Sequence, residues 1–227
     1  MIKRYSRNML TLSAEENNLL KTFRVCVIGC GGLGGYVIEM LGRLGIGTIT
    51  AVDGDVFEES NLNRQILSRV DSLGKSKALE AKNRMALVNP LIVVNAVYER
   101  LTQQNGIDIL KGHDVIIDAL DSISTRLLLE SMAEELNTPL IHGAIAGWYG
   151  QVSTIFPGDR TLSKLYPDPN MKGLEKELGN PSFTPALVAS IEASEAVKVL
   201  IGRGSPLRNK LLCLNLLDHE YEIIDLN

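Results

Sequence analysis

The sequence predicts an α/β fold: a Rossmann-like, mostly parallel sheet with helices on both faces, completed by C-terminal antiparallel strands. Three observations predict it. Short apolar, β-branched runs alternate with helical stretches from residue 24 onward, the rhythm of βαβ units. The first run, Arg24-Val25-Cys26-Val27-Ile28, is continuously apolar after its opening arginine, which suits a parallel strand buried on both faces. A glycine cluster, Gly29 to Gly35, then leads into a helix, the place of a phosphate-binding turn.

The elements follow in order. Ser13-Ala14-Glu15-Glu16 opens a helix, with Ser and Glu at capping-box spacing. After strand 24–28 and the glycine cluster, Tyr36 to Leu44 reads as a helix stopped by Gly45 and Gly47. Thr48 to Val52 is a second strand, ending at Asp53. A polar loop, Gly54 to Ser68, precedes a helix over Lys75–Leu87, which ends ahead of Asn89-Pro90. Ile92–Val97 is a third strand, Thr102–Leu110 a short helix, and Val115-Ile116-Ile117 a fourth strand with Asp118 and Asp121 at its C-terminal end. Thr125–Leu136 is helical, and Leu140-Ile141 begins a fifth strand. Gly150–Phe156 reads as a further strand. The long connection 157–185 is rich in proline and has helical character only around Leu174–Leu178; such lengths are often functional. Ala186–Ile201 is a helix, and Leu211–Leu216 with Tyr221–Leu226 a closing hairpin. The expected organisation is one domain over 1–227: a helical arm 1–22, a nucleotide-binding core 23–145, and a crossover segment with C-terminal helix and hairpin 146–227.

Composition excludes several classes. The 227 residues are 45% hydrophobic and 22% charged with a net charge of −4, so no basic face marks a nucleic-acid binder. No apolar stretch approaches a membrane span, and the N-terminus is too polar to open a signal peptide. Three cysteines without C-x-x-C spacing predict a reducing, cytoplasmic setting. Cys26 and Cys213 are expected to be buried, His113 and His219 to lie on the surface, and His142 to be a hydrogen-bonded structural residue. Trp148 and Tyr149 read first as packing residues, with contact to a substrate tail as the alternative.

The glycines Gly29, Gly31, Gly32 and Gly34 lie between a strand and a helix, where a tight turn and free helix N–H groups receive phosphate. Asp53 ends the next strand, where a carboxylate holds ribose hydroxyls. The same fingerprint serves nicotinamide dinucleotides, the first alternative. Two features weigh against that alternative. The loop Ser60-Asn61-Leu62-Asn63-Arg64-Gln65 is cationic and amide-rich, as a triphosphate requires. Lys77 starts the next helix and Asp121 follows the fourth strand, a lysine and a carboxylate suited to a polyphosphate with its Mg²⁺.

These motifs together resemble the ThiF/MoeB/HesA family, the bacterial relatives of ubiquitin-activating enzymes. The resemblance runs nearly end to end: Arg4-Tyr5-Ser6-Arg7, the glycine turn, Val52-Asp53-Gly54-Asp55, Ser60 to Gln65, Gly74 to Lys77, Asp118 to Ser122 (with Ser122 where the family has Asn), Gly143 to Gly150, and Pro185 to Leu200. It implies an ATP-dependent adenylyltransferase that activates the C-terminal glycine carboxylate of a ubiquitin-like sulfur-carrier protein of the thiamine or molybdopterin type. By the same resemblance, the turn with Gly31, Gly32 and Gly34, together with Asp53, holds the adenosine side; Gly29 and Asp55 are further cofactor-binding positions, with no side of the nucleotide assigned to Asp55. Asn61, Arg64 and Lys77 bind phosphates, with Gln65 and Ser122 second-tier cofactor contacts. Asp121 takes Mg²⁺, and Arg7 reaches into the site of a partner subunit, which implies a homodimer.

Two departures from the family sharpen the expectation. The segment Pro157 to Leu165 has no cysteine pair, so no zinc is expected. The crossover segment carries no cysteine for a thioester, so the reaction is expected to stop at the acyl-adenylate, with a separate sulfur donor completing it. A dehydratase of threonylcarbamoyladenosine in tRNA and a non-catalytic scaffold for a ubiquitin-like partner remain the alternatives.

Overall fold

A computed structural model describes residues 3–168, 173 and 175–226. Eight strands form one sheet: β1 (Arg24–Ile28), β2 (Thr48–Val52), β3 (Val93–Val97), β4 (Val115–Asp118), β5 (Leu140–Ala146), β6 (Tyr149–Ile155), β7 (Lys210–Asn215) and β8 (Glu220–Asp225). Their spatial order is β3-β2-β1-β4-β5-β6-β7-β8. The first five run parallel, with Val27 level with Ala51 on one side and Ile117 on the other. β6, β7 and β8 continue the sheet antiparallel, so the predicted fold class is the observed one.

The helices are α1 (Ala14–Leu20), α2 (Gly32–Leu44), α3 (Lys77–Val88), α4 (Gly106–Leu110), α5 (Ile123–Glu135), α6 (Thr161–Leu165), α7 (Glu175–Leu178) and α8 (Phe183–Ile201). Side chains alternate across each strand, and this splits the core in two. Val25 and Val27 pack with Leu41, Met85, Val188 and Ala196 on the face of α2, α3 and α8. Cys26 and Ile28 pack with Leu110, Leu129 and Leu162 on the face of α4, α5 and α6. No described helix is long and apolar enough to cross a membrane.

The predicted helix starts moved for local reasons. Ser13 caps α1 with a full capping box, as its spacing predicts. α2 begins at Gly32 rather than Tyr36, because glycines 32, 34 and 35 are themselves helical. α3 begins at Lys77 behind an Ser76 cap. α8 begins at Phe183, ahead of Pro185, since a first-turn proline breaks no helical hydrogen bond.

Two expectations are corrected. His113 is buried, not on the surface: its Nδ1 lies 2.9 Å from the Leu110 carbonyl and its Nε2 2.7 Å from Thr50 Oγ1. It precedes the central strand β4, so its turn tucks beneath the sheet beside β2, and burial pushes its pKa down. Cys213 is only half-buried, because β7 is covered on one side merely by β8, whose residues are all exposed. Cys26 is wholly buried, and His219 is exposed in the β7–β8 turn.

Candidate functional site

The parallel strands reverse order between β1 and β4, and in open sheets of this kind ligands bind at the C-terminal edge beside that switch point. A cleft of about 890 Å³ lies there, bounded by the glycine turn, the loops after β2, β3 and β4, and strands β5 and β6.

The glycine turn is built from two constraints. Gly29 has φ +98°, and a Cβ on it would lie 2.5 Å from the Ala119 carbonyl oxygen, so only glycine fits. Gly34 packs helix against turn: a Cβ there would meet the Gly29 oxygen at 1.8 Å. Asp53 ties the turn to the next loop. Its Oδ2 accepts the Cys30 N–H at 2.8 Å and its Oδ1 accepts the Asp55 N–H at 2.8 Å. Burial raises the Asp53 pKa, and these two N–H bonds work against the rise. Cys30 itself is buried, with its thiol pKa pushed up by burial and then by Asp53.

Cations converge on this turn. Arg64 lies along Gly32, held by the Ser60 carbonyl at 3.0 Å and Asn63 Oδ1 at 2.9 Å. Lys77 is buried at the start of α3, with Nζ 3.7 Å from Asp55 Oδ2. Asp55 also binds Arg100 at 2.7 Å, so one carboxylate holds two cations at the cleft. Gln65 is buried against Gly31, and its Oε1 finds no donor among the described residues. Asp121 is exposed at the cleft wall, and Ser122 beside it caps α5 by accepting the Thr125 N–H at 3.4 Å.

Most of the sequence-predicted residues therefore meet in one cleft: Gly29, Gly31, Gly32, Asp53, Asp55, Arg64, Gln65, Lys77, Asp121 and Ser122 line it. Gly34 lies beneath it. Asn61 does not line it: it is buried, and its Oδ1 accepts the Glu58 N–H at 3.0 Å, capping its own turn. Arg7 is remote from this cleft. Its neighbours Tyr5 and Asn8 pack at Gly45 and Leu44, at the C-terminal end of α2, and the helix is about 20 Å long.

Four lining residues escaped the sequence reading: Arg100, Arg126, Gln151 and Tyr166. Arg100 could have been found, since it closely follows a parallel strand, where ligand contacts gather. The others carry no motif of their own. They belong to a polar network that runs from the buried Asp118–His142 pair to the cleft: His142 Nδ1 lies 2.7 Å from Asp118 Oδ2, and Gln151 Nε2 lies 3.1 Å from His142 Nε2 and 2.6 Å from Tyr166 Oη. His142 is thus the hydrogen-bonded structural residue expected. Tyr149 is exposed at the cleft wall, and Trp148 packs against Phe183 with ring centroids 4.5 Å apart and the ring planes tilted by 42°.

The cleft fits a nucleoside triphosphate. Its glycine turn opens a helix of 13 residues, whose N-terminal N–H groups and dipole favour phosphate. Buried Lys77 and the cleft-lining Arg64 supply positive charge. A single carboxylate such as Asp121 suffices for Mg²⁺, which is ordinarily held by one or two carboxylates plus substrate phosphates. Among the described residues no group of three or more His, Cys, Asp or Glu gathers as metal ligands.

Comparison with known proteins gives the family. The ThiF family matches residues 5–227. The sulfur carrier protein adenylyltransferase of Thermus thermophilus is 37% identical over 97% of this chain and 85% of its own length. The SAMP-activating enzyme E1 of Haloferax volcanii is 34% identical over 98% of this chain and 84% of its own. The probable adenylyltransferase/sulfurtransferase MoeZ of Mycobacterium tuberculosis is 36% identical, but this chain spans only 59% of it. Among solved structures, PaaA superposes with a TM-score of 0.83 at 24% identity, covering 99% of this chain and 73% of that one. Escherichia coli MccB with ATP superposes with a TM-score of 0.84 at 21% identity, covering 99% and 72%. At such identities the likeness speaks for the fold. The chain belongs to the ThiF family and is an adenylyltransferase.

Proposed function

We propose that this protein uses ATP to adenylate the C-terminal glycine carboxylate of a ubiquitin-like sulfur-carrier protein. The observation that carries the reading is that Arg64, Lys77 and Asp121 line one cleft together with the glycine turn. The names of its relatives, a sulfur carrier protein adenylyltransferase and a SAMP-activating enzyme, supply the class of substrate.

The chemistry asks little of a general base. A terminal carboxylate is already anionic at neutral pH. Its oxygen attacks the α-phosphorus of ATP, the bond from that phosphorus to the bridging oxygen breaks, and pyrophosphate leaves. The protein must hold two anions together and offset the charge of the leaving group, which is positioning plus electrostatics. Arg64 and Lys77 do this from the β2 side, with Asp55 holding Lys77 and Arg100 in place. Asp121 would hold Mg²⁺, which screens the phosphate charge when bound. Arg7 enters the site of a second copy, so the working unit is a homodimer. Asn61 acts on the phosphates through the loop it caps.

The reaction ends at the acyl-adenylate. Cys30 is buried within the turn, and Cys213 lies on β7 outside the crossover segment. A separate sulfur donor then releases AMP and forms the thiocarboxylate. ATP–pyrophosphate exchange with Asp121→Ala and Arg64→Ala tests the assignment. Both side chains are at the cleft surface, so both variants should fold with near-unchanged Tm and lose exchange. Exchange at the normal rate in both would refute it.

A further inference from the structure

The network beneath the cleft dictates the hydrogen positions on two cleft-lining side chains. Asp118 is a buried acceptor that takes the Leu120 N–H at 3.0 Å and lies 3.6 Å from Arg126 Nε. A carboxylate only accepts, so the His142 nitrogen 2.7 Å from it carries the hydrogen. Buried His142 is neutral, its pKa lowered by desolvation, so its Nε2 is a lone pair. The Gln151 atom 3.1 Å from that lone pair must therefore be the amide nitrogen. The same nitrogen donates to Tyr166 Oη at 2.6 Å, and Arg126 Nη1 also donates to it at 3.4 Å.

Two consequences follow at the cleft surface. The phenol oxygen of Tyr166 already receives two donors, so its own hydrogen is free for a ligand. The Gln151 amide nitrogen is committed, so its carbonyl oxygen is left as an acceptor; no donor among the described residues takes it. Both residues line the cleft that holds Arg64 and Asp121. A hydroxyl donor and an amide acceptor therefore stand side by side, both uncharged and both pre-oriented. In an extended chain the N–H and C=O of one residue point to the same side, and this pair matches them.

We propose that Tyr166 and Gln151 read the main chain of the residue preceding the terminal glycine of the carrier's tail: its N–H donates to Gln151 Oε1, and its C=O accepts from Tyr166 Oη. His142, acting through Gln151, is a positioning residue. The recognition is of backbone rather than side chain. This inference rests on the adenylation reading above and adds the subsite that aligns the carboxylate.

The test uses the intact protein, ATP and a carrier ending in Gly-Gly. Tyr166→Phe keeps the ring packed edge-on to His142, with centroids 6.1 Å apart, so the fold should survive, as a Tm measurement verifies. Tyr166→Phe and Gln151→Met should each raise the KM for the carrier about tenfold, as loss of one hydrogen bond to a desolvated partner does, with the KM for ATP unmoved. A carrier whose penultimate amide N–H is replaced by an ester oxygen should lose about tenfold with the wild-type protein and nothing further with Gln151→Met. A rise in the KM for ATP instead, or an equal ester penalty in wild type and Gln151→Met, overturns the subsite while leaving adenylation intact. Absence of carrier-dependent exchange by the wild type overturns both readings.

Discussion

Gly34 and Gly32 stand two residues apart in one helix turn, yet their replacement by alanine should have opposite effects. A Cβ on Gly34 would lie 1.8 Å from the Gly29 oxygen and 2.9 Å from its carbonyl carbon. Restoring normal contact needs about 1.5 Å of separation. The Gly29 carbonyl cannot yield, because its residue is fixed at φ +98° with its N–H on the Val52 carbonyl at 2.8 Å. α2 cannot yield either, since Val37, Ile38 and Leu41 are fully buried against the core. Overpacking costs about 1–3 kcal/mol, and contact with rigid backbone places it near about 3. The better helix propensity of alanine returns about 1 kcal/mol. The net loss of about 2 kcal/mol corresponds to a Tm about 4–8 °C lower for a chain of this size. On Gly32 the nearest atom is Arg64 Cγ at 3.6 Å, an ordinary contact. Gly32→Ala should keep or slightly raise the Tm while its methyl group, set against Arg64 in the cleft, weakens ATP binding. Calorimetric melting and ATP titration of both variants decide it. A Gly34→Ala protein as stable as wild type, or a Gly32→Ala protein as unstable as Gly34→Ala, would refute the packing argument.

Two further perturbations probe carboxylates. Asp53→Asn sets an amide NH₂ against one of the two backbone N–H groups now bound to Asp53, and should cost about 1.5–3 kcal/mol; an unchanged Tm would show that the carboxylate does not organise the turn. Glu192 is fully buried on α8, with neither oxygen bonded to any described residue, and burial followed by the charge of Asp118 raises its pKa well above the ordinary range. A raised folded-state pKa means stability is fully present below the ordinary carboxylate range and is lost as pH climbs toward the folded-state value. Glu192→Gln, which never ionises, should therefore melt progressively higher than wild type between pH 5 and pH 8, whereas a constant Tm difference across that range would contradict the assignment.

The parallel half of the fold was legible because burial on both faces leaves a plain trace: Val25 to Ile28, Thr48 to Val52 and Val115 to Ile117 lie within or coincide with the observed strands. Much of the cleft lining was legible because Gly29, Asp53 and Asp121 closely follow strand ends. The rest was hidden by distance along the chain. The Asp118–His142–Gln151–Tyr166 network joins residues up to 48 positions apart, on β4, β5, β6 and just after α6, and no local pattern links them. Asn61 shows the converse. It stands where a phosphate ligand is expected, but a short turn offers its side chain a nearer partner in the Glu58 N–H, and local capping competes with ligand contact. His113 looked solvent-facing for a similar reason: its partner Thr50 is 63 residues away.

The central claim is the transfer of AMP to a carrier's carboxylate, and one measurement addresses it most directly. The protein is incubated with ATP, Mg²⁺ and each of a panel of purified ubiquitin-like carriers ending in Gly-Gly, and the carrier is then weighed by intact mass spectrometry while pyrophosphate is counted. One carrier should gain the mass of a single AMP group at its C-terminal glycine, with one pyrophosphate released per carrier and no covalent protein–carrier species. Pyrophosphate release without a mass change on any carrier, or a stable thioester between the two proteins, would contradict the account.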